Sequence, residues 1–403
     1  MTDIAVIGAG AAGITAAIAA KRKNPKLSIA LFDSMPRIGK KILATGNGRC
    51  NLSNIHAGKH QYYNKEFAAF ALKNYDVKYT VDFFSSLGLF TFTDEEGRIY
   101  PLSNSAASVL DALRFECDRL GITVFTDEKI SSVRIKDNGT FVINGRYTAE
   151  KIIISCGGKA SPSQGSDGSG FNLLRSLGHD IIKPLPALVQ LTSDNKIIKS
   201  FKGLRSKGIM RLFAGENEIG TAEGEILFTE YGLSGIASMD AQRLLCDYLE
   251  KEKCSVVIDF LPSLSQDEIK SAILNTVSRN PNLKCENVLS GLVPKKIGQG
   301  FIKCVYIKND AHASVIDENT AQRIATLMKN FRVFLSGAKG FENAQVTRGG
   351  ADINEFSCDT MESKIIKNLF CAGEILDVDG GCGGFNLQWA FSSGLCAGEN
   401  AAE

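Results

Sequence analysis

Two glycine-rich stretches near the start of the chain have the residue types needed to hold a phosphorylated cofactor. The first, Gly8 to Gly13 (GAGAAG), fits G-x-G-x-x-G. In that pattern Gly8 permits a tight turn, Gly10 lets the backbone approach a pyrophosphate, and Gly13 lets a helix pack closely on a strand. The second, Gly39 to Asn51 (GKKILATGNGRCN), carries three glycines, three cations and one cysteine in thirteen residues. Lys40, Lys41 and Arg49 can neutralise phosphate charge, and Gly46 and Gly48 let backbone lie against a flat ring. No period of 2 or 3.6 runs through its second half, so it reads as neither strand nor ordinary helix.

These residues need elements to position them. Asp3–Ile7 is a short apolar strand leading into Gly8, and Ala11–Lys23 is an alanine-rich helix that stops at Asn24-Pro25. Leu27–Phe32 is a second strand, with Asp33 at its end, twenty residues after Gly13. This βαβ unit offers helix N–H groups to phosphates and a carboxylate to an adenosine ribose. In a chain with 39 glycines the glycine motif alone is weak. Strand, helix and acid at the right distance make it a dinucleotide site.

The unit does not choose between NAD and FAD; three later stretches favour FAD. Lys151–Ser155 is a buried-type strand ending in Cys156-Gly157-Gly158. Asn368–Ala372 is another, followed by Gly373-Glu374 and DVDGGCGG. A helical pattern starts at Asn386, and its N-terminus would favour negative charge on the pyrimidine end of a reduced flavin. The expected cofactor contacts are Gly8, Gly10, Ala11, Ala12, Gly13, Asp33 and Ser34, then Lys40, Lys41, Thr45, Gly46, Gly48, Arg49, Cys50 and Asn51. Ile130, Cys156 and Gly157 follow, with Gly373, Glu374, Gly383, Gly384, Phe385 and Asn386 near the end.

Two of these are catalytic candidates. Arg49 either stabilises charge on the reduced ring or binds phosphate. Cys50, in a loop with Arg49 and Lys40, could have a lowered pKa and exchange electrons with flavin. No CxxC or near neighbour supplies a resolving cysteine, and only Cys382 could approach from the C-terminal loop. A small uncharged side chain packed beneath the ring is the simpler expectation. No acid or base is assigned.

Composition narrows the alternatives. The chain has 403 residues, 44% hydrophobic and 22% charged, with a net charge of +2. That balance gives no support for a broad nucleic-acid or membrane surface. Eleven scattered cysteines without a framework point to free thiols in a reducing cytoplasm. His56, His60, His179 and His312 are not at metal spacing, so no metal is expected and each reads as a surface or core residue. Ile4–Ala20 has the small, uncharged character of a signal segment, but Asp3 precedes it and the KRK cluster follows it, the wrong order.

The middle of the chain reads as an insertion. Ala187–Phe228 has short strands with glycine turns, suited to antiparallel sheet. Ser265 and Glu268 form a capping box before IKSAILNTV, and Asp317–Asn330 is a second helical run before the strand RVFLS. The segments either stabilise the fold or cap the flavin, and flanking cofactor motifs favour a cap. The expected divisions are 1–186 and 344–403 for a discontinuous FAD-binding domain, 187–243 for a small β-barrel, 244–330 for a helical insert and 331–343 for a return strand.

GKKILATGNGRCNLSN (39–54), GRIYPLSNSAASVLDAL (97–113), GEILFTEYGLSG (224–235), AQVTRGGADINE (344–355), TMESK (360–364) and GEILDVDGGCGGFNLQWAFSSG (373–394) resemble the aminoacetone-oxidase-type flavoproteins. The resemblance covers nearly the whole chain. Phe385 stands where that family commonly carries Tyr. The resemblance implies an α/β protein with a Rossmann-type FAD domain, interrupted by a small β-barrel and a helical subdomain, and an NAD(P)H-linked oxidoreductase. The expected function is hydride transfer between NADH or NADPH, FAD and a small organic substrate. A flavin-dependent RNA modifier and a non-catalytic flavin-binding protein are the alternatives.

Overall fold

The computed structural model of the chain describes residues 1–58 and 61–403, so His60 lies outside the described residues. Two compact units make up the chain: Met1–Pro186 with Ala344–Glu403, and Ala187–Asn343.

The first unit is built on a largely parallel sheet. Its strands are β1 (Thr2–Ile7), β2 (Ile29–Phe32), β6 (Thr123–Phe125), β7 (Val133–Ile135), β8 (Phe141–Ile143) and β9 (Tyr147–Ile154), in the order β6-β2-β1-β9-β8-β7. A separate small sheet pairs β3 (Ser53–Asn54), β5 (Arg98–Pro101) and β4 (Thr91–Thr93). Late in the chain β19 (Leu369–Cys371) returns to pair in parallel with β9. Central strands covered on both faces read as unbroken apolar runs rather than alternating ones. IALF of β2 and LFC of β19 are buried throughout.

Register decides where the glycines go. Ile7 stands opposite Phe32 and Ile154, and Cys371 opposite Ile154. Four parallel strands therefore end along one edge, and the next residues are Gly8, Asp33, Ser155 and Ala372. Such an edge is where open parallel sheets bind ligands. Leu27 and Ser28 stay outside β2 because Ser28 is tied to the start of β1. Its N–H and Oγ both donate to Asp3 Oδ2 at 2.6 Å.

Two helices cover the glycine edge. Helix α1 (Ala11–Lys23) ends where Asn24 turns extended before Pro25. Helix α11 (Phe385–Ala401) lies backbone to backbone against it. A Cβ on Gly394 would stand 2.5 Å from Ala12 O, and one on Gly398 2.2 Å from Ala16 O. Small residues four apart on each helix permit that approach.

The second unit has its own core around an antiparallel sheet. Arg205–Ala214 and Asn217–Phe228 form a long hairpin, and Cys254–Asp259 and Phe331–Phe334 extend it at one edge. The sheet thus takes the strand Cys254–Asp259 from the stretch expected to be helical. The helices Gln266–Arg279 and Glu318–Lys329 are capped by Ser265 with Glu268 and by Asp317. Among the described residues no helix is long and apolar enough to cross a membrane.

Candidate functional site

The glycine turn after β1 is shaped by close packing on one side and space on the other. Gly8 has φ +99°, and a Cβ there would stand 2.6 Å from Ser155 O. A Cβ on Gly13 would lie 1.9 Å from Gly8 O and 2.4 Å from Ser155 Oγ, so β1, α1 and the end of β9 touch through it. Gly10 differs: a Cβ there meets nothing within 4 Å. Space is kept where backbone would meet a ligand. The first-turn N–H groups of α1 have no side-chain cap, and no acid in that turn offsets the dipole.

Asp33 is fixed by this turn. Its Oδ2 accepts the Ala9 N–H and its Oδ1 the Met35 N–H, each at 2.8 Å. Burial raises its carboxyl above the ordinary range, against those two backbone bonds. Each oxygen keeps a further lone pair for a ribose hydroxyl. Ser34 is exposed beside it, and Ala12 is buried against Gly373, whose added Cβ would be 2.8 Å from Ala12 Cβ. Ile130 is buried in the hydrophobic core.

The Gly39–Asn51 stretch forms tight three-residue turns over Lys40–Gly48, broken at Thr45, Gly46 and Asn47. The Gly39 N–H donates to Ala9 O at 2.7 Å, which places the stretch beside the glycine turn. Its cations are engaged within the chain. Lys41 Nζ pairs with Glu374 Oε2 at 2.9 Å, and Lys40 Nζ donates to Ser163 O. Glu374 Oε1 in turn accepts the Thr347 N–H, so these two predicted contacts first of all knit the site together. Arg49 is exposed, with its guanidinium carbon 4.5 Å from the centroid of the Tyr100 ring.

Cys50 departs from the reactive-thiol expectation. It is fully buried at φ 58°, and burial pushes its thiol up to about 12, outweighing a hydrogen bond with Thr45. Cys156 is pushed up to about 12 by the same cause. Protonated thiols at neutral pH are poor nucleophiles. Iodoacetamide at pH 7–8 should therefore modify exposed Cys358 while Cys50 stays unlabelled. Peptide mapping that finds both labelled at one rate would count against a packed, neutral Cys50.

The C-terminal loop is held by Asn386, one of the expected cofactor contacts, and by Tyr62 and Asn54, which sequence reasoning passed over. Asn386 accepts the Gly380 N–H and donates to the carbonyls of Gly380 and Gly381. Tyr62 Oη donates to Phe385 O at 2.8 Å, and Asn54 Nδ2 to Gly383 O at 3.1 Å. Beneath the loop Arg348 Nε meets Asp379 Oδ2 at 2.5 Å, both nearly fully buried, with Tyr63 under the guanidinium at 3.8 Å. Nothing in a spacing of 31 residues signals that pair. Ser166 was also missed, though the Ser/Gly-rich run GSDGSG was a visible cue. Its Oγ is buried, has no partner among the described residues, and lies 2.9 Å from where a Gly157 Cβ would stand.

His179 is a core residue, in a chain from Glu355 (2.7 Å) to Ser363 (3.1 Å). Ser363 Oγ also accepts the N–H groups of Ile365 and Ile366. It is a buried clamp rather than a nucleophile. Among the described residues no cluster of three or more His, Cys, Asp or Glu could hold a metal.

The model described as the HI0933-like protein Rossmann domain matches residues 2–400. The chain belongs to the HI0933-like family. It is 38% identical to a 3-dehydro-bile acid delta(4,6)-reductase of Clostridium scindens, covering 100% of both chains. It is 28% identical to a ribosomal RNA dihydrouridine synthase of Escherichia coli, covering 97% of this chain and 96% of that one. Among solved structures, the E. coli quinol fumarate reductase superposes with a TM-score of 0.51 at 16% identity, over 100% of this chain and 70% of that one. A 3-ketosteroid delta1-dehydrogenase of Sterolibacterium denitrificans gives 0.50 at 9%, over 100% and 99%. At such identities these two show that the HI0933-like chain shares their fold.

Proposed function

We propose that this HI0933-like protein is an FAD-dependent oxidoreductase that adds hydrogen across an activated carbon–carbon double bond of a small organic substrate. NADH or NADPH serves as the reductant. The observation that carries the reading is the open cradle at the carboxyl edge of β1, β2, β9 and β19. Gly10 leaves room there, and two buried polar atoms, Ser166 Oγ and Asn51 Oδ1, lack partners among the described residues. Buried polar atoms are nearly always satisfied, so their orphaning fits a polar ligand. When bound, FAD supplies a ring that takes up and releases hydride.

The chain's own residues have the remaining work. The uncapped N-terminus of α1 faces pyrophosphate, and Asp33 takes ribose hydroxyls. Ser166 becomes a further cofactor contact beside Gly157. The N-terminus of α11 stabilises negative charge on the reduced ring. Arg49, free to leave Tyr100 at the surface, is the candidate for the same role.

The choice of a double bond as acceptor rests on the relatives' names. Delta(4,6)-reductase and dihydrouridine synthase both denote reduction of a carbon–carbon double bond. The second name favours an RNA substrate as the other reading, and the near-neutral charge of +2 weighs against it. The test is anaerobic reduction of the holoprotein by NADH or NADPH, followed by reoxidation with a panel of small enones or with ribosomal RNA. Rapid reoxidation by an enone supports the proposal. Reoxidation by RNA alone replaces it with the second reading, and flavin that no reductant or acceptor turns over points to a binding protein.

A further inference from the structure

Residues 279–312, all in the second unit, concentrate positive charge. They carry Arg279, Lys284, Lys295, Lys296, Lys303 and Lys308 against Glu286 and Asp310, a net charge of +4. The whole chain sums to +2, so everything outside this segment sums to −2. Near-neutrality overall conceals one basic segment.

The fold lines these cations up. Helix Lys295–Cys304 turns Ile297, Gly298, Gly300, Phe301 and Ile302 into the core and leaves Lys295, Lys296, Gln299 and Lys303 on its other side. Lys295, Gln299 and Lys303 recur every four residues, a single stripe with steps of about 6 Å. Glu286 ties the stripe to the neighbouring chain. Its carboxylate accepts Lys295 Nζ at 3.2 Å and Gln299 Nε2 at 3.1 Å, and its N–H donates to Asn309 O at 2.9 Å. That bond sets Lys308 beside the stripe, and the bridge between Lys284 and His312 extends the same edge. Lys284, Lys296, Lys303 and Lys308 are exposed, and none has a carboxylate partner among the described residues. By contrast, Lys202 pairs with Glu230 and Lys270 with Glu318.

The stripe ends in an aromatic ring. Tyr306 lies three residues past Lys303, at φ +66°, and is 92% exposed. Its N–H donates to Lys303 O and the Ile307 N–H to Ile302 O, so it occupies the left-handed turn that closes the helix. Glycine or asparagine usually fills that position, because a Cβ is strained there. Neither packing nor backbone preference accounts for a tyrosine. What the conformation does is hold a flat ring in solvent between two unpaired lysines.

A nucleic-acid strand has the complementary chemistry, a negative charge at each step and a flat base beside it. We infer that this face of the second unit docks a single-stranded nucleic acid. Lys284, Lys296, Lys303 and Lys308 meet phosphates, and Tyr306 stacks on an unpaired base. An acidic peptide answers the lysines and leaves the ring unused. An anionic bilayer takes up an apolar helix face, and here that face is already in the core. The inference concerns docking, goes beyond the reading of the cofactor site and does not rest on it.

The test is fluorescence anisotropy of a labelled, unstructured oligonucleotide, made as RNA and as DNA, titrated with the full-length protein over a range of salt concentrations. Binding of either supports the inference, and the tighter one names the source. Four phosphate contacts should give a slope of log K against log salt of about −3. Lys303→Gln with Lys308→Gln should weaken binding and flatten the slope to about −1.4. Tyr306→Asn, which suits the left-handed backbone, should weaken binding about tenfold, the value of one stacked base, and leave the slope unchanged. Heparin, a polyanion without bases, should respond to the lysine variant and not to Tyr306→Asn. Wild type that binds neither oligonucleotide at low salt overturns the inference, and binding to phosphatidylserine vesicles alone replaces it with a membrane surface. A slope that the lysine variant leaves unchanged overturns it by placing the contacts elsewhere. Tyr306→Asn that binds the oligonucleotides as wild type does overturns it too, since the surface is then a cation patch that reads no base.

Discussion

Gly10→Val is expected to leave the apoprotein folded and to weaken FAD by about 100-fold. Its φ of −83° is open to any residue, and a Cβ there meets nothing within 4 Å among the described residues, so the first added carbon strikes no protein atom. What it fills is the space kept for the cofactor backbone. Overpacking by an isopropyl group costs about 1–3 kcal/mol, and the upper part of that range is about 100-fold in a dissociation constant. Gly13→Val is the contrast. Its Cβ would stand 1.9 Å from Gly8 O, in the contact that joins helix to strand, so this variant should lose stability before binding is at issue. Melting temperature and FAD titration of both variants read the difference. A Gly10→Val protein that binds FAD normally would place the cofactor elsewhere.

Asp379→Ala should destabilise the protein by about 3–5 kcal/mol, because it leaves the buried Arg348 guanidinium without its carboxylate. Arg348 and Asp379 are 6% and 1% exposed, so water cannot replace the lost partner. The neighbouring Asp377 is held by the Gly349 N–H and Asn64 Nδ2, and its carboxyl is raised by burial and, to a smaller extent, by Asp379. Replacing both partners with apolar residues, Arg348→Met with Asp379→Leu, should recover part of the loss, since the guanidinium is then no longer buried without Asp379, although Asp377 loses its attraction to Arg348. Urea unfolding measures each step. A loss below about 1 kcal/mol for Asp379→Ala would mean that the pair is solvated in solution.

The second prediction bears on the C-terminal loop. Arg348 and Asp379 lie at its base, Asn386 and Tyr62 hold its crest, and Gly384 ends it at the start of α11. A weakened base should therefore loosen the presentation of the α11 N–H groups. The two variants separate holding the cofactor from building its seat.

Much of this was legible in the amino-acid sequence because it is local. The turn Gly8–Gly13 and helix Ala11–Lys23 follow from glycines, alanines and a proline at fixed offsets. The capping box at Ser265 and the cap at Asp317 follow from side chains that reach only three residues. Apolar runs of strand length marked β1, β9 and β19, though not their register. Tertiary structure alone decided what those residues meet. It brought Lys41 to Glu374 across 333 positions, pairing an expected phosphate ligand with an expected cofactor contact. It buried Cys50 and so raised a thiol that nearby cations would have lowered in open solution. It also set Arg348 against Asp379 and left Asn51 Oδ1 and Ser166 Oγ without partners among the described residues. Hydrogen bonds, desolvation and charge pairing depend on distance in space, and a spacing along the chain fixes that distance only within a turn or two of helix.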